Sequence, residues 1–257
     1  ESRRSDRLFN DPYAAAFLTA APNAFEREQQ AAATGVEGMA KWGAAFWAHA
    51  VIRTKFFDDY LIDAVNQGLR QIVLLAAGLD TRAYRLDWPD GTHLFELDLS
   101  EVLDFKLRML TGHAAVARCE HQAVRVDLRS DWTTPLTSAG LDTAEPTAWL
   151  AEGLLTYLSA DDAARLLTTV GDLSAPGSRV AFEYDVLGTD AMRAQARTMP
   201  PMEEYVALWK GGLPTASDWL KQRGWHPALH DRAEVAARYG RHTDEASTGG
   251  FITAIRG

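Results

Sequence analysis

One stretch of the chain limits its fold more than any other: a short apolar run, Ile-Val-Leu-Leu at 72–75, that ends in the small residues Ala76, Ala77 and Gly78. A continuous run of branched apolar residues is typical of a parallel strand that helices cover on both faces. No side chain of the turn is larger than a methyl group, so a ligand can lie against the backbone, and Gly78 can adopt conformations closed to other residues. The stretch therefore predicts an α/β fold with a ligand site at the end of this strand.

The residues that follow favour a nucleoside as this ligand. Asp80 or Thr81 can cap the next helix, whose free N–H groups point back at the same crevice. The following apolar run ends in a carboxylate, Asp98, where a ribose would offer its hydroxyl groups. A dinucleotide loop of the form G-x-G-x-x-G needs three glycines, and here only Gly78 is present. The turn therefore favours a ligand with a ribose and no pyrophosphate, of which S-adenosylmethionine is the common example, over a nicotinamide cofactor.

Composition narrows the possible partners. With 257 residues, of which 47% are hydrophobic and 24% charged, the chain has the composition of a globular protein with a substantial core. Its net charge of −9 argues against a nucleic-acid partner, because phosphate binding needs a basic face. The single cysteine, Cys119, forms no intrachain disulfide, and the sequence shows neither a signal peptide nor a membrane-spanning run. These features predict a cytoplasmic protein without a membrane partner, and they leave a homo-oligomer open.

Apolar runs and helical segments alternate, which predicts right-handed βαβ units and a mostly parallel sheet in one domain. The domain divides into an N-terminal helical region (1–68), a cofactor-binding core (69–186), a helical insert over the strand ends (187–220) and C-terminal strands (221–257). Strands are expected at 72–75, 93–97, 122–126, 147–150 and 179–184, with a final antiparallel pair at 225–229 and 251–255. Helices are expected at 12–18, 36–68, 99–111 and 160–173, and residues 1–13 read as the middle of a helix followed by a turn.

Six blocks of sequence then occur in one characteristic order, at 1–14, 51–59, 77–86, 95–98, 126–129 and 151–158. Together, and above all through A-G-L-D-T-R and A-E-G-L-L-T-Y-L, they make the chain resemble the leucine carboxyl methyltransferase family, especially its actinobacterial branch of S-adenosylmethionine-dependent methyltransferases. The resemblance implies a Rossmann-like class I methyltransferase fold, with a seven-stranded mostly parallel sheet, helices on both faces and a helical lid insertion. It also implies S-adenosyl-L-methionine as cofactor, and an additional segment before residue 1 that helps to close the cofactor site.

The resemblance assigns the methionine and ribose contacts to particular residues. Arg53 matches the arginine that holds the cofactor's carboxylate, a suitable role for a permanently charged guanidinium. Gly78 matches the glycine beneath the cofactor, and Asp98 matches the carboxylate that binds the ribose. Glu96 lies two residues earlier on the same strand face and is an alternative ribose contact.

The resemblance also assigns the adenine contact and the candidates for catalysis. Asp127 and Leu128 match the pair that contacts adenine, through a carboxylate and a backbone N–H. Glu152 is placed beside the methionine part of the cofactor, or against the acceptor. Glu152 and Tyr157 are the candidate catalytic residues. None of the seven histidines lies in a block that marks a catalytic base, so each is interpreted as a surface or packing residue, and no metal is expected.

Methyl transfer depends mainly on in-line alignment and on the exclusion of water. A carboxylate acceptor is already ionised and needs no base, whereas a hydroxyl acceptor needs one. The sequence favours O-methyl transfer to the carboxylate, phenol or hydroxyl of a small, largely apolar acceptor, such as a secondary metabolite. A catalytically silent S-adenosylmethionine-binding protein, a protein C-terminal carboxyl methyltransferase and a nicotinamide oxidoreductase are the alternatives. The expected acceptor pocket comprises Trp42, Trp47, Tyr205 and Trp209, together with Phe46, Met192, Met199, Met202 and Trp219.

Overall fold

The computed structural model describes residues 1–20, 39–184, 207–242 and 249–257, with only the backbone described for 39–46. Over these residues, seven strands form one sheet in the order β3-β2-β1-β4-β5-β7-β6, in which β7 is antiparallel to both neighbours and the other adjacent pairs are parallel. This confirms the expected α/β fold and its antiparallel last pair. The strands are β1 (Gln71–Leu75), β2 (His93–Asp98), β3 (Glu120–Arg125), β4 (Thr147–Ala151), β5 (Arg179–Tyr184), β6 (Trp225–Asp231) and β7 (Gly250–Arg256).

Helices cover both faces of the sheet. They are α1 (Ala14–Ala20), α2 (Met39–Asn66), α3 (Arg82–Arg85), α4 (Ser100–Gly112), α5 (Thr133–Ser138), α6 (Ala160–Asp172), α7 (Ala216–Lys221) and α8 (Arg232–Arg238), with a 3₁₀ turn at Leu155–Tyr157. One core lies between the sheet and α5, α6 and α7, around Trp149, Phe182 and Trp225. The other lies between the sheet and α2, α4 and α8, around Phe57 and Phe251. Because α2 leads directly into β1, it runs antiparallel to the parallel strands and reaches their carboxyl ends with its first half.

The start of the chain differs from the prediction. Residues 1–13 form turns rather than the middle of a helix, and the first helix begins at Ala14, not at residue 12. Local side chains explain the difference, because the Asp11 backbone N–H donates to Ser2 Oγ (2.8 Å) and Asp11 Oδ1 accepts from the backbone N–H of Tyr13 (2.9 Å). Such side-chain contacts compete with helical hydrogen bonds and favour turns and helix caps.

The predicted helical insert at 187–220 is described only from residue 207 onward, where α7 lies; its expected pocket residues Met192, Met199, Met202 and Tyr205 are outside the described residues. In the described part of the chain, no helix combines the length and apolar character needed to cross a membrane.

Candidate active site

The loops after β1 and β2 meet at the carboxyl edge of the sheet. Gly78 and Ala76 both have positive φ, of 53° and 52°, so the chain leaves β1 in a sharp turn that costs strain at the non-glycine position. The backbone N–H of Gly78 donates to Asp98 Oδ2 (2.6 Å), and the backbone N–H of Leu99 donates to Asp98 Oδ1 (2.7 Å). Two of the residues expected beneath the cofactor, Gly78 and Asp98, are therefore in direct contact.

Glu96, the alternative ribose contact, is placed differently. Its side chain is fully buried, and its carboxylate lies 2.8 Å from Lys106 Nζ on α4 and 2.9 Å from His121 Nε2 on β3. Burial opposes ionisation of Glu96, but Lys106 and His121 together outweigh it and lower the pKa of this carboxyl. Of the two carboxylates on this strand, Asp98 alone is partly exposed, at the carboxyl edge of the sheet.

Arg53 lies between two carboxylates at neighbouring strand ends. Its Nε donates to Glu152 Oε1 (2.8 Å), just after β4, and its Nη1 donates to Glu183 Oε1 (3.2 Å), near the end of β5. The backbone N–H of Gly153 and the imidazole of His49 (Nε2 to Oε1, 3.3 Å) also contact Glu183. Although burial opposes ionisation, Arg53 and His49 lower the pKa of Glu183 to about 2. The structure therefore brings together Arg53 and Glu152, the two residues that the resemblance matched to the methionine end of the cofactor.

Arg82, which the sequence did not single out, connects this pair to the loop after β1. It is 2% exposed and donates from Nε to Asp58 Oδ1 and from Nη1 to Glu152 Oε2, both at 2.7 Å. Its Nη1 also contacts Asp80, whose Oδ1 accepts the backbone N–H of Arg82 (2.7 Å). Of the two residues expected to cap this helix, Thr81 occupies the N-cap position of α3 but makes no side-chain cap hydrogen bond, and its hydroxyl donates to Asp11 Oδ2 (2.9 Å). Asp80 is the one whose side chain accepts a backbone N–H at the start of the helix.

The sequence signal for this network was the charged residues Asp80, Arg82 and Arg85, which stand among apolar and small residues after β1. A second signal was Asp58 on the apolar face of α2. Charged side chains are almost never fully buried unless they are paired, so these positions implied partners without identifying them. His49 agrees with its interpretation as a packing residue: it is buried, stacks on Phe251, and burial lowers its pKa.

The expected adenine and acceptor residues lie around the same edge. Asp127 follows β3 and is held by Arg129, through Nε (2.9 Å) and the backbone N–H (2.9 Å), which lowers the pKa of Asp127 to about 2. Leu128 is partly buried against the core. Tyr157 is 41% exposed, so its ring is available to a ligand.

Five of the nine residues expected to line the acceptor pocket are on described backbone: Trp42, Phe46, Trp47, Trp209 and Trp219. Trp47 on α2 is 47% exposed, and Trp209 is partly buried. The segment after Trp209 is anchored beside β4, because the Lys210 N–H donates to the Thr156 carbonyl (2.9 Å) and the Gly212 N–H to the Leu158 carbonyl (3.0 Å). The side chains of Trp42 and Phe46 lie outside the described part, as do all of Met192, Met199, Met202 and Tyr205.

Comparison with known proteins identifies the family of this chain. The model of the family described as leucine carboxyl methyltransferase matches residues 1–171. The chain belongs to the leucine carboxyl methyltransferase family. This confirms the resemblance drawn from the six sequence blocks.

Two bacterial relatives in this family cover the chain in full. A protein of Frankia alni is 49% identical over 100% of this chain and 89% of its own length, and a protein of Streptomyces coelicolor is 41% identical over 100% and 90%. Both carry the name "Putative S-adenosyl-L-methionine-dependent methyltransferase".

Solved structures of methyltransferases share the fold of this family member. One from Thermobifida fusca, described as a "putative methyltransferase", covers 81% of each chain, with a TM-score of 0.58 and 19% identity. The magnesium protoporphyrin IX methyltransferase of Synechocystis, solved with bound S-adenosylmethionine, covers 91% of each chain, with a TM-score of 0.53 and 10% identity. At these identities the likeness concerns the fold alone.

Proposed function

We propose that this chain is an S-adenosylmethionine-dependent O-methyltransferase that acts on a carboxylate, phenol or hydroxyl of a small, largely apolar organic acceptor. The observation that carries the proposal is the contact of Asp98 with the turn after β1. Each Asp98 oxygen accepts one backbone N–H, at 2.6 and 2.7 Å, and a carboxylate oxygen has a further lone pair to offer. A carboxylate held in this way, beside a turn without large side chains, fits a ribose that offers two hydroxyl groups.

The other residues of the site fit the remaining parts of the cofactor. Arg53 would bind the carboxylate of its amino-acid end and Glu152 its ammonium group, while Asp127 and the Leu128 N–H would meet adenine. When bound, S-adenosylmethionine supplies a methyl group that its sulfonium charge activates. Both Glu152 oxygens already face arginines, Arg53 and Arg82. Because both oxygens already accept hydrogen bonds from these arginines, the geometry supports a binding role for Glu152 over that of a general base.

The aromatic residues around the edge support the choice of acceptor. Trp47 and Tyr157 present nearly half of their surface, and Trp209 lies on the segment anchored beside β4. Large aromatic side chains bind flat organic molecules with little loss of conformational entropy. The partner supported by this set is a small molecule rather than a protein terminus.

Two experiments test the proposal in sequence. Calorimetric titration with S-adenosylmethionine, S-adenosylhomocysteine and NADH comes first, and we expect both methionine nucleosides to bind and NADH not to bind. Binding of NADH alone would overturn the proposal in favour of an oxidoreductase. A screen of carboxylate, phenol and hydroxyl acceptors with methyl-labelled cofactor follows. Cofactor binding without any transfer would favour a catalytically silent binding protein, and labelling of protein C-termini alone would favour a protein carboxyl methyltransferase.

A further inference from the structure

Arg82 occupies an unusual position for a residue at the first turn of a four-residue helix. It is nearly fully buried, and its guanidinium joins three parts of the chain that are far apart in sequence: Asp58 on α2, Asp80 in the loop after β1, and Glu152 after β4. Its Nη2 also approaches the Thr54 carbonyl on α2 (3.4 Å). Only a planar guanidinium, with five donors in a fixed fork, can make such a set of contacts.

The two carboxylates on the site-facing side depend on Arg82 in different ways. Among the described residues, Arg82 is the one that contacts both Asp80 and Glu152. Burial raises the pKa of Asp80 even with Arg82 beside it. Glu152 is fixed at one oxygen by Arg53 and at the other by Arg82. Without Arg82, Glu152 would have a single anchor and could rotate about its contact with Arg53.

This arrangement concerns one end of the cofactor only. Arg53 and Glu152 are the residues matched to the amino-acid end. Asp98, at the end of β2, is held instead by the backbone amides of Gly78 and Leu99, and it makes no described contact with Arg82. We propose that Arg82 is a positioning residue, which orients Glu152 and through it Arg53 toward the amino-acid end of the cofactor and leaves the nucleoside end unaffected. The inference rests on the proposed function.

The test compares two ligands that share the nucleoside and differ at the other end. S-adenosylhomocysteine carries the amino-acid group, and 5′-methylthioadenosine lacks it. In Arg82→Gln we expect the Kd of S-adenosylhomocysteine to rise at least about tenfold, the effect of losing one charge-assisted hydrogen bond, while the Kd of 5′-methylthioadenosine stays within about twofold. Arg82→Lys retains the charge without the fork and should recover part of the lost affinity.

Arg85 provides a matched control. It lies on the same short helix, is 5% exposed and makes a bidentate ion pair with Asp58 (both distances 2.7 Å), but has no described contact with Asp80 or Glu152. Both Arg85→Lys and Arg82→Lys should lower the thermal midpoint. Arg85→Lys should leave the ratio of the two dissociation constants unchanged.

Each outcome bears on the inference. A rise in the Kd of S-adenosylhomocysteine alone supports it. If the Kd of both ligands rises equally in the Arg82 variants, or if neither changes, Arg82 only stabilises the fold and the inference is overturned. If Arg82→Gln fails to fold, the ratio of the two dissociation constants in Arg82→Lys tests the inference instead. If the wild-type chain binds neither ligand, the proposed function itself fails.

Discussion

The pairing of Glu183 leads to a quantitative prediction for Glu183→Gln. The side chain is 3% exposed and bound by Arg53, His49 and the Gly153 N–H. The pKa of Glu183 falls from its ordinary value of 4.5 to about 2, because Arg53, His49 and the Gly153 N–H together outweigh the cost of burial. At 1.36 kcal/mol for each unit of pKa, the ionised carboxylate contributes about 3 kcal/mol to the free energy of unfolding at neutral pH.

The sign of the pH dependence follows from the direction of this shift. Because the folded-state pKa lies below the unfolded value, the contribution is fully present above pH 4.5 and is lost as the pH falls toward about 2. Glu183→Gln should therefore lower the free energy of unfolding by about 3 kcal/mol at pH 7, and by less than about 1 kcal/mol near pH 2.

Urea unfolding followed by tryptophan fluorescence measures the free energy of unfolding at both pH values, since the chain has eight tryptophans and urea adds no ionic screening. Asp104→Asn is the control: Asp104 pairs with Arg125 at 2.8 Å, but both side chains are nearly half exposed. That substitution should lower the free energy of unfolding by less than about 1 kcal/mol at either pH. A loss for Glu183→Gln that is as small as the control's, or that does not change with pH, would refute the reasoning from burial and pairing.

Three further predictions concern the site and its supports. Asp98→Ala should abolish S-adenosylmethionine binding in a calorimetric titration, and full affinity would contradict the ribose assignment. Gly212→Ala should lower the free energy of unfolding by about 1–3 kcal/mol, because Gly212 has a φ of 64° and an added Cβ would lie 2.9 Å from the Leu155 carbonyl oxygen. Gly211→Ala, with φ 96° but open space around the Cβ, should lower the free energy of unfolding by less in the same urea experiment, and equal losses would argue against the steric reason. His49→Gln should flatten the decrease in stability as the pH falls below 6.5, because burial lowers the pKa of His49 and the folded state therefore binds protons less readily than the unfolded state; identical slopes would contradict this.

The sequence predicted the sheet and one part of the site for the same physical reason. Strands such as β1 and β4 are buried on both faces and therefore appear as continuous apolar runs. The carboxyl ends of neighbouring parallel strands lie at one edge, so the proximity of Gly78 and Asp98 followed from the order of the runs.

The charged network could not be predicted in the same way. Arg53 meets Glu152 and Glu183 from 99 and 130 residues away, and sequence patterns report only local neighbours. Strand alternation correctly placed Glu96 on the same face as Asp98. It could not show that α4 covers that face at Glu96 with the ammonium of Lys106. The error at residues 1–13 arose because hydrogen bonds of Ser2 and Asp11 outweigh helical propensity there.

The position of β7 between β5 and β6 has a consequence for biosynthesis. Within the described sheet, β6 pairs with β7 alone, and β5 has no neighbour on that side until β7 is in place. On the ribosome, β6 therefore emerges without its partner, and the growing chain presents two unpaired strand edges until residues Gly250–Arg256 have been synthesised. Unpaired edges can join to other chains. A stop codon just before β7 would leave both edges open for good, so such truncated chains should aggregate rather than accumulate as a slightly shorter enzyme.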